Sequence, residues 1–456
     1  MPPFSRTAST IALLTFTAAA LPASVSGAAG VGPLVRPHSV RHQLPFQSSL
    51  PTPIFAGGGS VPALMLRLWG NQYGVTPGQP ASASKANVEM LFASTNGPAG
   101  ERYLIDQAFD DETTPAANPP YQDTTNGRDW TFPYPNSGSA PGPPDFVIGS
   151  PLSTALLGDY DSETLPARGK AVQEPIVEAG IALAFNLGPN ASLGSRQFTL
   201  SRESYCGIYT GVIGDWSDSQ ITDDNGGVPV VSASTPIDAV YRADPAGSTF
   251  IFTTHLNYVC AGAGYPYSQG VGESFTLPDP QPSGSNFVGA TGNTALVNDV
   301  EHPANSSHGA IGYTGPSSIE PLGPLPAAAL INKSGVANLP TVPAVKEAFR
   351  GPYTAAPPGW PARARTYVPD PSHKGAYPIV GLIFMLFYHC YPSSNADVPA
   401  MQGFFDTALA LENGAGLTTY DTLAEGSGLA ELPDDRKMRV LTALSKIELV
   451  PSGGKC

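Results

Sequence analysis

Short apolar runs alternate with stretches of helical spacing along most of the chain. A Gly-rich turn, AGGGSVP at 56–62, leads into ALMLRLWGNQYG, whose apolar positions recur at helical intervals. NVEMLFAST predicts a strand, NGPAG a turn and ERYLIDQAF a helix. PDFVIGSPLS predicts a short strand and turn, and PIVEAGIALAFN a buried-strand run. LSRESYCGIYTGVIGDW reads as a helix ending in a turn. PIDAVYRA is then a strand, and FIFTTHLNYV has helical spacing with Phe250, Phe252 and Leu256 available for one face. GAIGYTGP and YPIVGLIFMLFYHC predict further strands, and PAMQGFFDTALAL a helix. Strands and helices alternate, which predicts α/β layers. Residues 110–144 are poor in apolar positions and read as a long loop, and 317–376 is Pro- and Ala-rich without a clear period.

Composition narrows the function. The 456 residues allow two or three domains, and charged residues make up 13%, about half the usual share. Net charge is −14. That excludes nucleic acid as a partner, since such binding rests on Lys and Arg neutralising phosphates. It also argues against an anionic membrane surface. It leaves room for a small anion, which backbone N–H groups and one Arg bind locally. No motif or cluster calls for a cofactor. The acidic run Asp110, Asp111, Glu112 lacks the alternating oxygen spacing of a Ca²⁺ loop and reads as a solvated edge. His302 and His308 read as surface loop residues, and there is no G-x-S-x-G or H-E-x-x-H, so a hydrolase is disfavoured.

At the N-terminus, Arg6 precedes an apolar stretch from Ile11 to Leu21, and small residues follow at Ser26-Gly27-Ala28. This is the layout of a secretory signal, residues 1–28, with cleavage after Ala28. It predicts a periplasmic or secreted protein with an extended leader over 29–53. No other run is long enough to span a membrane, so membrane insertion is not expected. Four cysteines, Cys206, Cys260, Cys390 and Cys456, form no C-x-x-C pair. An even count in an exported chain implies two disulfides, and spacing alone leaves three pairings open. N-x-[S/T] patterns stand at Asn190, Asn305 and Asn332.

The stretch YRADPAGSTFIFTTHL at 241–256 carries the most chemistry. A strand enters a helix through Gly247-Ser248-Thr249, which puts several free N–H groups at one helix start. Those groups and the helix dipole favour an oxyanion. Arg242 can fork onto two oxyanion oxygens while Asp244 steadies its guanidinium. The plainer reading is that Ser248 caps the helix and Arg242 only pairs with Asp244.

This stretch resembles the RxDGSGTxxxFTxYL segment of periplasmic phosphate-binding proteins, and its neighbours agree in order. AGGGSVP resembles their GxGAT-[aromatic or Leu]-P segment and NGPAGERYLI their GSGxGKxAFL turn and helix. VEAGIALAFN, LSRESYCGIYTGVIGDWSD and GAIGYTGP resemble the strand, helix-turn and strand that accompany them. The likeness is greatest to the DING branch, which has cysteines where Cys260 and Cys390 stand. It covers most of residues 55–456 and is thin in 110–144 and 317–376. It implies a type II periplasmic-binding-protein fold, two α/β lobes joined by two hinge strands. Lobe 1 would be 54–175 plus 378–456 and lobe 2 176–377, with hinges near Gln173–Ala179 and Tyr377–Gly381. It also implies disulfides Cys206–Cys260 and Cys390–Cys456. The partners it implies are inorganic phosphate or a related oxyanion, bound by a monomer, and a membrane phosphate transporter.

Carried over position by position, the phosphate site falls on Ser60, Val61, Gly97, Ser150, Arg242, Ala246, Gly247 and Ser248. The family's hydroxyls are missing at Gly97 and Ala246; Ser94, Thr95 and Asn96 are the candidate substitutes for the first. The family's Asp, which accepts a proton from bound phosphate, falls on Gly149 or Ser150. Hydrogen bonds to a charged group contribute ~1.5–3 kcal/mol each, so these losses would weaken phosphate binding roughly a thousandfold unless neighbours compensate. Two readings follow: an exported phosphate or oxyanion binder without turnover, or a phosphate-binding-like protein whose altered site serves another ligand or an interaction.

Overall fold

A computed structural model describes residues 51–75, 84–106, 121–123, 128–130, 144–150, 169–350, 368–393 and 397–451. All of them fall within the unit Ser48–Cys456. The expected signal, the expected leader up to residue 50, Cys456, the acidic run at 110–112 and much of the rest of 110–144 lie outside the described residues, and the leader's last residues, expected to be extended chain, already belong to the first strand.

Two sheets organise the chain. The first is built from β1 (Thr52–Gly59), β2 (Val88–Thr95), β3 (Phe146–Gly149) and β4 (Ala171–Gly180). The second holds β5 (Ala182–Asn186), β6 (Ile237–Arg242), β7 (Asn286–Ala290) and β8 (Gly309–Thr314). The chain then returns to the first sheet with β9 (Val380–Tyr388) and β10 (Ala430–Glu431). The strand orders are β10-β4-β9-β3-β1-β2 and β7-β6-β8-β5. Within the first sheet β1 runs parallel to β2 and β3, whereas β9 is antiparallel to β3 and β4. All nine residues of β9 are buried, the signature of a strand covered on both faces.

The single apolar run read at 175–186 is two strands in different sheets. They part at Ile181, whose N–H donates to the Ile379 carbonyl and whose own carbonyl accepts from the Tyr377 hydroxyl. The two connections between the sheets are thus hydrogen-bonded to each other. This is the type II arrangement of two α/β lobes joined by two hinge strands.

Helices cover the sheets: α1 (Ala63–Tyr73), α2 (Gly97–Asp106), α3 (Arg202–Tyr209) and α4 (Gly247–Val259) stand where the apolar spacing predicts them, and α5 (Gly292–Glu301) stands where no helix is predicted. Later come α6 (Val342–Ala348), α7 (Asp397–Ala408) and α8 (Asp434–Leu444). Two of the expected turns are otherwise. Ala56–Gly59 ends β1 as strand, and NGPAG already forms the first turn of α2. Gly58 explains the glycines: its φ is 125°, and a Cβ there would stand 2.0 Å from the Ile148 carbonyl oxygen. Cys206 and Cys260 form a disulfide that ties α3 to the end of α4. The expected Cys390–Cys456 pair ends in a residue outside the described ones. Among the described residues no helix is long and apolar enough to cross a membrane.

Candidate anion site

The strand-to-helix turns of both sheets meet at one small pocket. Ser60, Val61, Gly97, Ser150, Arg242, Ala246, Gly247 and Ser248 all line it, with Ile148, Ile251, Leu382 and Ile383 as apolar walls. Its volume is about 30 Å³, room for a very small guest, since one water needs about 10–15 Å³ by this measure. Apolar walls lower the local dielectric and strengthen any charge interaction inside.

Each donor is placed by an identifiable cause. Ala246, extended at φ −150°, brings β6 into α4, and no side chain caps that helix. The first-turn N–H groups of α4 therefore have no side-chain acceptor, and they face the pocket with the dipole's positive end. The Ser248 hydroxyl oxygen is buried and has no hydrogen-bond partner, so the plain capping role is not what holds it. Thr249 instead shares its hydroxyl with Tyr313, which also accepts from the Arg242 backbone N–H.

Arg242 is 2% exposed. Its Nε and Nη2 donate to the two Asp244 oxygens at 2.7 and 2.5 Å, and Nη1 donates to Asn293 Oδ1 at 2.7 Å. Of the five N–H groups of a guanidinium, two remain for an anion. Burial alone would raise the Asp244 carboxyl, but hydrogen bonding and charge from Arg242, with the Gly292 N–H, hold it below its ordinary value. Asp244 therefore stays ionised and keeps the guanidinium in place.

Asn293, on the first turn of α5, has no counterpart in the sequence reading. Its amide nitrogen donates to Ser60 Oγ at 3.0 Å while its oxygen accepts from Arg242. It thus links the end of β1 in the first sheet to β6 in the second. An Asn at a helix start is common enough that only the fold singles it out. Asn96, one candidate substitute for the lost hydroxyl at Gly97, is partly committed: its side-chain oxygen caps α2 by accepting from Ala99 N at 2.8 Å. Ser94 Oγ is buried without a partner, but Ser94 is not among the pocket's lining residues.

Two carboxylates stand behind the wall formed by Gly97, Gly149 and Ser150. A Cβ on Gly97 would lie 2.9 Å from Glu273 Oε1, and one on Gly149 would lie 3.0 Å from Glu101 Oε1. Burial and the Glu273 charge raise the Glu101 carboxyl, with Arg102 opposing. Burial likewise raises Glu273, and Ser150 opposes. Glu273 belongs to a loop without apolar period, so local pattern carries no signal for it.

The expected loop histidines lie apart from this pocket: His302 is exposed, and His308 Nδ1 is 2.8 Å from Asp238 Oδ1. Among the described residues no group of three or more His, Cys, Asp or Glu is arranged to hold a metal. A larger groove of about 920 Å³, with Arg196, Gln197, Glu301 and Glu425 in its lining, contains none of the eight carried-over residues.

Known proteins share this architecture. A model of the PBP superfamily domain matches residues 115–409. Alkaline phosphatase L of Pseudomonas aeruginosa is 25% identical over 300 residues, which is 64% of this chain and 72% of that protein. The phosphate-binding protein PstS of Methanocaldococcus jannaschii is 28% identical over 224 residues, 48% of this chain and 53% of that one. The crystal structure of a DING protein superposes with a TM-score of 0.57 at 22% identity, covering 85% of this chain and 93% of the other. The chain thus belongs to the PBP superfamily, with the type II fold.

Proposed function

We propose that the protein is an exported binder of inorganic phosphate, or a closely related oxyanion, held between the two lobes and released unchanged. One observation carries this reading. A single pocket gathers two uncommitted Arg242 N–H groups, an uncapped helix start, the partnerless hydroxyl of Ser248 and the buried hydroxyl of Ser150. Buried polar groups without partners are costly, and one tetrahedral anion answers most of them together. Relatives named as phosphate-binding proteins support the same ligand. Delivery to a membrane phosphate transporter extends the reading.

The name alkaline phosphatase L among the relatives raises phosphomonoester hydrolysis as a rival. Among the described residues the pocket is lined by no His and no Cys, so its serines have no imidazole base there. Turnover of p-nitrophenyl phosphate is therefore expected to be absent. The direct test is isothermal titration with phosphate. Micromolar or tighter binding is expected, and Arg242→Ala removes two charge-assisted bonds at ~1.5–3 kcal/mol each, weakening it at least a hundredfold. No heat with the unaltered protein would overturn the reading and leave the altered-site alternative.

A further inference from the structure

Around this pocket, Arg242, the start of α4 and the hydroxyl of Ser60 supply donors. A site that only donates takes sulfate as readily as phosphate. The residue that would oppose sulfate in the resembled family is absent at Gly149 and Ser150. The structure has a carboxylate close to the same place, reached from another part of the chain.

Glu273 arrives from the loop after α4, and that loop is fixed to the helix. The Glu273 carbonyl accepts from Ala246 N at 2.8 Å, and Gly272 exchanges hydrogen bonds with Thr253 Oγ1. Its carboxylate occupies space that any side chain at Gly97 would need, 2.9 Å from that Cβ position. Ser150 borders both places: its backbone N stands 3.8 Å from the same Cβ position of Gly97, and its Oγ stands 3.0 Å from the Cβ position of Gly247. Ser150 Oγ and Glu273 Oε1 are both buried, and neither has a hydrogen-bond partner of good geometry.

We infer that Glu273, acting through Ser150, is the acceptor that makes the pocket select a protonated oxyanion over a fully deprotonated one. The inference rests on the proposed phosphate-binding function. A serine hydroxyl has one proton. When Ser150 donates it to the Glu273 carboxylate, only lone pairs of Oγ face the pocket. Phosphate near neutral pH carries a proton and donates it to those lone pairs. Sulfate brings acceptors alone, so acceptor meets acceptor and the contact is repulsive. Glu101, the other carboxyl in this wall, is raised by burial and by the Glu273 charge. Protonated, it spares Glu273 a second negative neighbour. No proton changes owner in this scheme.

The test measures phosphate and sulfate affinities at pH 8, above the value of about 7 to which burial raises the Glu273 carboxyl, for the full chain and two variants. The unaltered protein is expected to prefer phosphate. Glu273→Ala frees the Ser150 proton to turn toward the anion, so sulfate tightens and the preference falls about tenfold or more. Ser150→Ala, which removes one oxygen and leaves the backbone unchanged, lowers the preference from the other side by weakening phosphate. A preference unchanged in both folded variants, or absent in the unaltered protein, overturns this inference while phosphate binding stands. Failure of the unaltered protein to bind either anion overturns the proposed function with it.

Discussion

Adding one methyl group at Gly247 should separate binding from folding. Gly247 opens α4 with no positive φ, so alanine fits the backbone there. Among the described residues its Cβ would meet one neighbour, Ser150 Oγ at 3.0 Å, the end of a short side chain able to move by the few tenths of an ångström required. Replacing glycine by alanine at a compatible helical site stabilises by about 0.4–1 kcal/mol, through the unfolded chain. The same methyl enters a pocket of about 30 Å³ between two of its lining residues. An oxyanion oxygen must come within about 2.9 Å of the N–H groups it accepts from, and the methyl stands in that approach. Losing the Gly247 and Ser248 N–H contacts removes ~3–6 kcal/mol, at ~1.5–3 kcal/mol for each bond to a charge. Phosphate affinity should fall by about a hundredfold or more, while denaturant unfolding shows equal or greater stability. A Gly247→Ala protein that binds phosphate within about threefold of the unaltered one would refute the placement of the anion at this helix start.

Other expectations follow from the scaffold. Glu178 lies on β4 beside Arg436 Nη1 at 3.2 Å, and burial raises its carboxyl from 4.5 to about 8, against Arg436 and with Glu431. The folded state therefore keeps a proton that the unfolded chain has lost across that window. Stability should fall between about pH 5 and 8, by up to ~1.4 kcal/mol per unit, and Glu178→Gln should flatten the profile in thermal melts. Cys206→Ser with Cys260→Ser opens a loop of sequence separation 54. It should cost up to about 4 kcal/mol in denaturant unfolding while phosphate affinity stays within twofold, because the bond closes the far end of α4. Expressed in a glycosylating host, the protein should carry sugar at exposed Asn305 and none at Asn332, as peptide mass spectrometry would read. The Asn332 amide is buried and donates to the carbonyls of His373, Lys374 and Ala376.

The fold was legible where local pattern and global fold agree. The strand-turn-helix at 237–259 shows in its apolar spacing and small residues, and the structure has β6 and α4 there. The split at Ile181 did not show, because a strand that changes sheets keeps one unbroken apolar run. The Cys206–Cys260 pairing came through family resemblance, since spacing left three choices. The eight carried-over residues line one pocket. Asn293 and Glu273 did not show, because each acts across long sequence separations: Asn293 reaches Ser60, and Glu273 fills space left by Gly97. A missing side chain at Gly97 reads in one dimension as a lost hydroxyl. In three dimensions it also makes room for a carboxylate.

The most direct test of the central claim is a crystal structure of the protein grown with phosphate. The account predicts one tetrahedral anion in the pocket, within about 3 Å of an Arg242 Nη and of the Gly247 and Ser248 N–H groups, with Ser150 Oγ against one of its oxygens. A pocket without the anion at saturating phosphate, or an anion bound away from Arg242 and the start of α4, would contradict it.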